Sequence, residues 1–144
     1  LQNRITFMMG GRAAEVLVFN EFTTGAANDL KQATRIARAM VTEYGMSETV
    51  GPMSIEGGNE VFLGRDLGRS RPVSESTAQR VDGEVRRILD EADELARSIL
   101  RQNIHILERL AQLLLDKETV EGEEFESVVQ GLNPVYPVPQ PAGA

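Results

Sequence analysis

The feature that most constrains this chain is an unbroken apolar stripe in its second half. Val81, Val85, Ile88, Leu89, Ala92, Leu95, Ala96, Ile99 and Leu100 recur at the i, i+3, i+4, i+7 spacing of one helix face. Asp82, Glu84, Arg86, Arg87, Asp90, Glu91, Glu94 and Arg97 carry charge around the remaining faces, which assigns them to water. The spacing predicts a long helix from Ser74 or Ser76 to about Leu100. Ser76 with Gln79 three residues later has capping-box spacing at its start.

The other segments supply partners for that face. Residues 3–19 read as a helix carrying Ile5, Met8, Met9, Val16 and Leu17, interrupted by Gly10-Gly11. Paired glycines inside a helix cost about 1 kcal/mol each against alanine. Here they predict close approach by another backbone, with Ala13-Ala14 extending the smooth surface. A second helix spans about 29–44 and stops at Gly45, a residue suited to a helix C-terminus. Asn103 is placed to cap a further helix to about Asp116, with Ile106, Leu107, Leu110, Ala111 and Leu114 on one face. His105 falls opposite that face and is expected to be exposed. The long helix and this successor are expected to form an antiparallel pair lying on the 29–44 helix. A short helix over 121–130, anchored by Phe125, Val128 and Val129, closes the domain.

Residues 49–68 change character. Gly51, Pro52, Gly57, Gly58, Gly64 and Gly68 punctuate the short runs Met53–Ile55 and Val61–Leu63. Two short strands about a Gly57-Gly58-Asn59 turn are expected. Pro134, Pro137, Pro139 and Pro141 make the C-terminus an extended tail. The expected fold class is therefore mainly α, a helical bundle with a small two-stranded β element. Its boundaries are a domain over 1–130 and a flexible Pro-rich tail over 131–144.

Between the first two helices lies Thr23-Thr24-Gly25-Ala26-Ala27-Asn28-Asp29-Leu30, a turn of small and polar residues that delivers a carboxylate to a helix start. At about 100° per residue, Asp29 shares a side with Ala33, Ile36 and Met40 and should face the packed layer. An inward carboxylate needs a partner, because an unpaired buried charge is costly. Two roles fit. Asn28 or Asp29 could cap the helix through its orphan N–H groups, or Asp29 could serve as a metal or catalytic carboxylate. Periodicity leaves both open.

Composition removes several classes. A net charge of −7 disfavours a nucleic-acid phosphate backbone and an anionic membrane surface. No run approaches about twenty apolar residues, so none of this segment is expected to enter a bilayer. Cysteine is absent and histidine occurs once, which excludes thiolate zinc sites, thiol catalysis and any self-contained site on two histidines. The chain opens on Leu1 already in helical pattern and reads as a piece of a longer protein.

Gly10-Gly11-Arg12-Ala13-Ala14-Glu15 followed by the 23–30 stretch resembles the peptidase domain of the FtsH family, the membrane-anchored, ATP-dependent AAA zinc metalloproteases. The likeness continues through Gln32–Val41, Glu43–Glu48, Val61–Arg65, Ser74–Ala78 and Lys117–Thr119, with Gly122 and Phe125, and covers roughly 5–130. The resemblance implies a zinc ion held by two histidines of an HExxH helix, with its glutamate as general base, and a third ligand matched here by Asp29. It further implies ATP as the fuel of an ATPase module, a homo-hexamer, and membrane or unfolded proteins as substrates. The parent would lie at the cytoplasmic face of a bacterial membrane, or on the matrix or stromal side of an organellar one.

This sequence departs from the family pattern. It holds no HExxH, its single histidine lies in a segment without a ligand role, and Val16 stands where a second glutamate is common. The chain alone is therefore expected to be catalytically inactive. A non-catalytic helical assembly module or a pseudoprotease is the alternative.

Overall fold

The structure, a computed structural model, describes residues 1–55 and 74–136. Helices follow in the order α1 (Gln2–Phe19), α2 (Ala27–Thr42), α3 (Glu75–Gln102), α4 (Ile104–Lys117) and α5 (Gly122–Gly131), with a 3₁₀ turn over Thr24–Ala26. The first three make the main core. Ile5, Met9 and Ala13 of α1 meet Ala33, Ala37, Met40 and Val41 of α2 and Val81, Val85, Ile88, Ala92 and Ala96 of α3. The alanines at these positions let the helix backbones approach closely.

Gly10-Gly11 does not provide that approach. Among the described residues, a Cβ added at either position meets nothing within 4 Å. The buried stripe of α1 runs through Ile5, Met9 and Ala13 at fourfold spacing, and the glycines lie beside it. Close packing is assigned to alanine instead.

Gly45 does what its position predicts. Its φ is +60°, and a Cβ would stand 2.9 Å from the Pro52 Cα. The chain turns back there, Met46 N–H reaching the Met40 carbonyl at 2.8 Å. The Met53–Ile55 run forms no strand, and no strand occurs among the described residues. Its Ile55 N–H bonds instead to the Thr42 carbonyl at 2.7 Å, so this backbone closes the end of α2 and joins no ladder. The Val61–Leu63 half of the expected pair and its glycine turn lie outside the described residues.

The long stripe forms α3, opened by Ser74 and not by Ser76. The Ser74 hydroxyl accepts the Thr77 N–H at 3.2 Å. Contrary to the expected antiparallel pair, α4 does not return along α3 and does not touch α2. Asn103 alone joins α3 to α4, a link too short to fold one helix back on the other. Ile106 and Leu113 of α4 are buried outside the main cluster. The Asn103 side chain does not cap α4. Its Nδ2 donates to the carbonyls of Ile99 at 2.8 Å and Val135 at 2.9 Å, and its Oδ1 accepts the Val135 N–H at 2.6 Å. Residues 132–135 are thereby held at the α3–α4 corner, where His105 Nε2 lies 2.9 Å from the Leu132 carbonyl.

Candidate functional site

The 20–30 segment is built in steps. Asn20, with φ 53°, closes α1 in the left-handed region, its N–H on the Val16 carbonyl at 3.0 Å. The chain then folds back against α1. The Arg12 guanidinium stacks 4.2 Å from the Phe22 ring centroid, and the Thr23 hydroxyl donates to Glu15 Oε1 at 2.7 Å. The same Thr23 oxygen accepts the Gly25 N–H at 3.2 Å and so caps the 3₁₀ turn. Ala27 N–H bonds to the Thr24 carbonyl, and the turn runs straight into α2.

Neither Asn28 nor Asp29 is a cap. The N-cap position of α2 is Ala26, which offers no side-chain bond, and Asp29 stands inside the first helical turn. The preceding 3₁₀ turn already uses the early backbone groups that a cap would serve. Asp29 is also exposed, against the expectation that it faces the packed layer. Residues 27–32 of α2 are all exposed and burial begins at Ala33. The helix angle places Asp29 on the inner side, but the covering helices leave this end of α2 open.

Among the described residues Asp29 makes no hydrogen bond and no ion pair. Its carboxylate sits at a helix N-terminus, where the backbone dipole favours negative charge. A groove of about 390 Å³ lies between α1, α2 and α3, lined among others by Met9, Arg12, Leu30, Val85, Leu89 and the Arg38–Asp82 pair at 3.2 Å; Asp29 is not among its lining residues.

A zinc site needs three or four N, O or S ligands. Among the described residues no three His, Cys, Asp or Glu side chains gather at one point. His105 is exposed on α4 and bonds near the C-terminal segment. Among the described residues Asp29 is thus a single outward carboxylate at a helix start, with no donor set gathered around it.

Sequence reasoning missed a second polar centre. Glu84, assigned to water by its charge, is 8% exposed. It accepts the Ser47 hydroxyl at 2.7 Å and Arg87 Nε and Nη2 at 3.1 and 3.0 Å. Arg87 Nη1 also reaches Glu91 at 2.9 Å, and Ser47 Oγ accepts the Val50 N–H at 3.3 Å. The Arg87 fork, and then the Ser47 hydroxyl, hold the Glu84 carboxyl below its ordinary value despite burial, while the carboxylates raise Arg87. This centre ties the segment after α2 to α3. The signal was present in the spacing, because Glu84 stands three residues after Val81 and four before Ile88.

The profile of peptidase family M41 matches residues 1–128, and the chain belongs to that family. It is 52% identical over 132 residues to the ATP-dependent zinc metalloprotease FtsH 1 of Thermoanaerobacter sp. (strain X514), covering 91% of this chain and 22% of that protein. To FtsH 4 of Sorangium cellulosum (strain So ce56) it is 52% identical over 130 residues, 89% of this chain and 20% of that protein. With FtsH 4 of Sphaerobacter thermophilus, identity is 50% over 142 residues, 98% of this chain and 21% of the relative. The chain thus spans about a fifth of the length of these relatives.

Proposed function

We propose that this chain is the C-terminal part of the peptidase domain of an ATP-dependent zinc metalloendopeptidase that degrades membrane and unfolded proteins. Asp29 is its third zinc ligand. The observation that carries this reading is an exposed carboxylate, unpartnered among the described residues, on a helix start strapped to α1. Family membership and the printed names of the relatives, zinc metalloproteases that depend on ATP, support it. When bound, zinc polarises a water and the scissile carbonyl. This chain's part is to supply the Asp29 carboxylate from the first turn of α2. The two histidines and the glutamate base belong to an HExxH helix outside these 144 residues.

The 144 residues alone are accordingly inactive. Zinc-dependent peptide cleavage by the pure chain, abolished by a chelator, would overturn that statement. In the full-length protein, Asp29→Asn should abolish proteolysis and leave ATP hydrolysis near wild type. Proteolysis surviving the substitution would remove Asp29 from the metal.

A second reading, helical assembly, draws on one specific observation. Leu114 and Leu115 of α4 and Phe125 of α5 are exposed apolar side chains. The two readings are compatible in a parent that is a membrane-anchored homo-hexamer facing the bacterial cytoplasm or an organellar matrix or stroma. No described helix is long and apolar enough to cross a membrane.

A further inference from the structure

We propose that residues 43–55, the segment that follows α2, form a flap that opens from the helical core as one unit, with the Glu84 carboxylate as its latch. The flap turns on two glycines. Gly45 and Gly51 have φ of +60° and +88°, conformations that glycine adopts at little cost. Part of its backbone is tied to itself, the Gly51 N–H to the Ser47 carbonyl at 2.8 Å and the Met53 N–H to the Gly51 carbonyl at 2.9 Å. Two further bonds reach the end of α2, from Met46 N–H to the Met40 carbonyl and from Ile55 N–H to the Thr42 carbonyl. The outer side stands clear of the core, with Tyr44, Met46 and Met53 59%, 55% and 56% exposed. Of the flap, only Ile55 belongs to the buried cluster, and half-buried Val50 packs against it. Opening therefore uncovers little apolar area, and the tie to α3 decides how often it happens.

That tie is one side-chain hydrogen bond among the described residues, from the Ser47 hydroxyl to Glu84 Oε2 at 2.7 Å. Both side chains are buried, so water does not compete for it. Thr49 adds a weaker contact from the flap. The charged groups around the carboxylate all stand on α3: Arg87 donates to it through Nε and Nη2, and Glu91 holds Arg87 from the other side. No ion pair among the described residues joins Glu84 to α1 or α2, and Arg38 of α2 is engaged with Asp82. The catch thus stays in place on its own helix when the flap leaves. A hydrogen bond to an ionised acceptor is about twice as strong as a neutral one, so the latch depends on the Glu84 charge.

Amide hydrogen exchange of the 144-residue chain, read at Gly51 and Ile55, measures the opening. At neutral pH Glu84→Gln and Ser47→Ala should each raise the opening constant about 10-fold. The double variant should open no more than either single one, because both remove the same bond. Amides of 5–13 and 85–96 should keep wild-type protection. Glu91→Gln, which leaves the Ser47–Glu84 bond in place, should leave the flap closed. Acid should act on the wild type as substitution does. The closed form holds the Glu84 carboxyl below its ordinary value, so opening takes up a proton. Corrected for intrinsic exchange, the opening constant should climb by at most about tenfold per pH unit below about pH 4.3. Glu84→Gln should remove that climb.

Wild-type protection at Gly51 and Ile55 in both Glu84→Gln and Ser47→Ala would overturn the latch. Equal loss of protection along 85–96 would overturn the flap, by making Glu84 a support of the whole core. An acid climb that survives Glu84→Gln would put the proton on another group and take the latch away from this carboxylate.

Discussion

Glu84 shows how a single side chain departs from its pattern. Charge alone sends a glutamate to water, yet spacing puts this one inside the apolar stripe, and a serine from another segment meets it there. Its folded pKa is depressed, so its stabilisation is fully present above about pH 4.3, where a free glutamate is half ionised, and is lost as pH falls through the lower folded value. Acid titration of the denaturant midpoint should therefore show a loss of stability below that pH, and Glu84→Gln should flatten part of it. At neutral pH Glu84→Gln should cost about 1–3 kcal/mol, because Arg87 and Ser47 lose a charged acceptor. Equal midpoints for the two proteins at pH 7 would show that the centre contributes nothing. The sequence could reveal the angle of Glu84 on its helix, but its partner Ser47 lies 37 residues away and no local pattern joins them.

For the helices, periodicity was the readable quantity and height along the axis was not. The stripe from Val81 to Ala96 formed as spaced except at Leu95, which is 40% exposed, and α2 buries Ala33 and Met40 as expected, together with Ala37. Asp29 shares their angle but stands beyond the end of the covering layer. Likewise Gly10-Gly11 was legible as unusual, and no backbone among the described residues closes on it. Gly11 is exposed in a helix with free space around its Cβ, so Gly11→Ala should stabilise the 144-residue chain by about 0.5–1 kcal/mol. Ile5, fully buried against α2 and α3, should cost about 2–5 kcal/mol when cut to alanine. Gly45→Ala should destabilise by more than about 1 kcal/mol, since it meets both a positive φ and the Pro52 backbone. Urea unfolding of the three variants would rank them, and a neutral Gly45→Ala would contradict the turn geometry.

At the scale of the molecule, two parts differ in how they are held. α1, α2 and α3 share one core, while α4 and α5 touch it only through the α3 end. Apolar side chains stand in water on both parts, among them Phe7 at 85% and Leu115 at 84% exposure. Surfaces of this kind are ordinarily covered. The isolated chain should therefore self-associate at micromolar to millimolar concentration, and Phe7→Lys with Leu115→Lys should shift sedimentation toward monomer. A monomer at every concentration tested would show that these side chains are tolerated singly. The order of the described helices was legible from their apolar spacing, although Leu114 of α4 and Phe125 of α5, expected to be buried, are 46% and 47% exposed. The direction of α4 was not, because it depends on a one-residue joint.

That joint has a chemical lifetime as well as a shape. The Asn103 amide nitrogen faces two carbonyls, those of Ile99 and Val135, and its oxygen faces an N–H. Asparagine is among the thermolabile residues. Hydrolysis of this amide, which takes up water and releases ammonia, would put a negative oxygen where the donor had been, against both carbonyls. The C-terminal segment would then let go of the corner without any change in sequence length or in the core. In protein aged at elevated temperature, the fraction carrying the Asn103 mass shift should be the fraction that is protease-sensitive after Leu132.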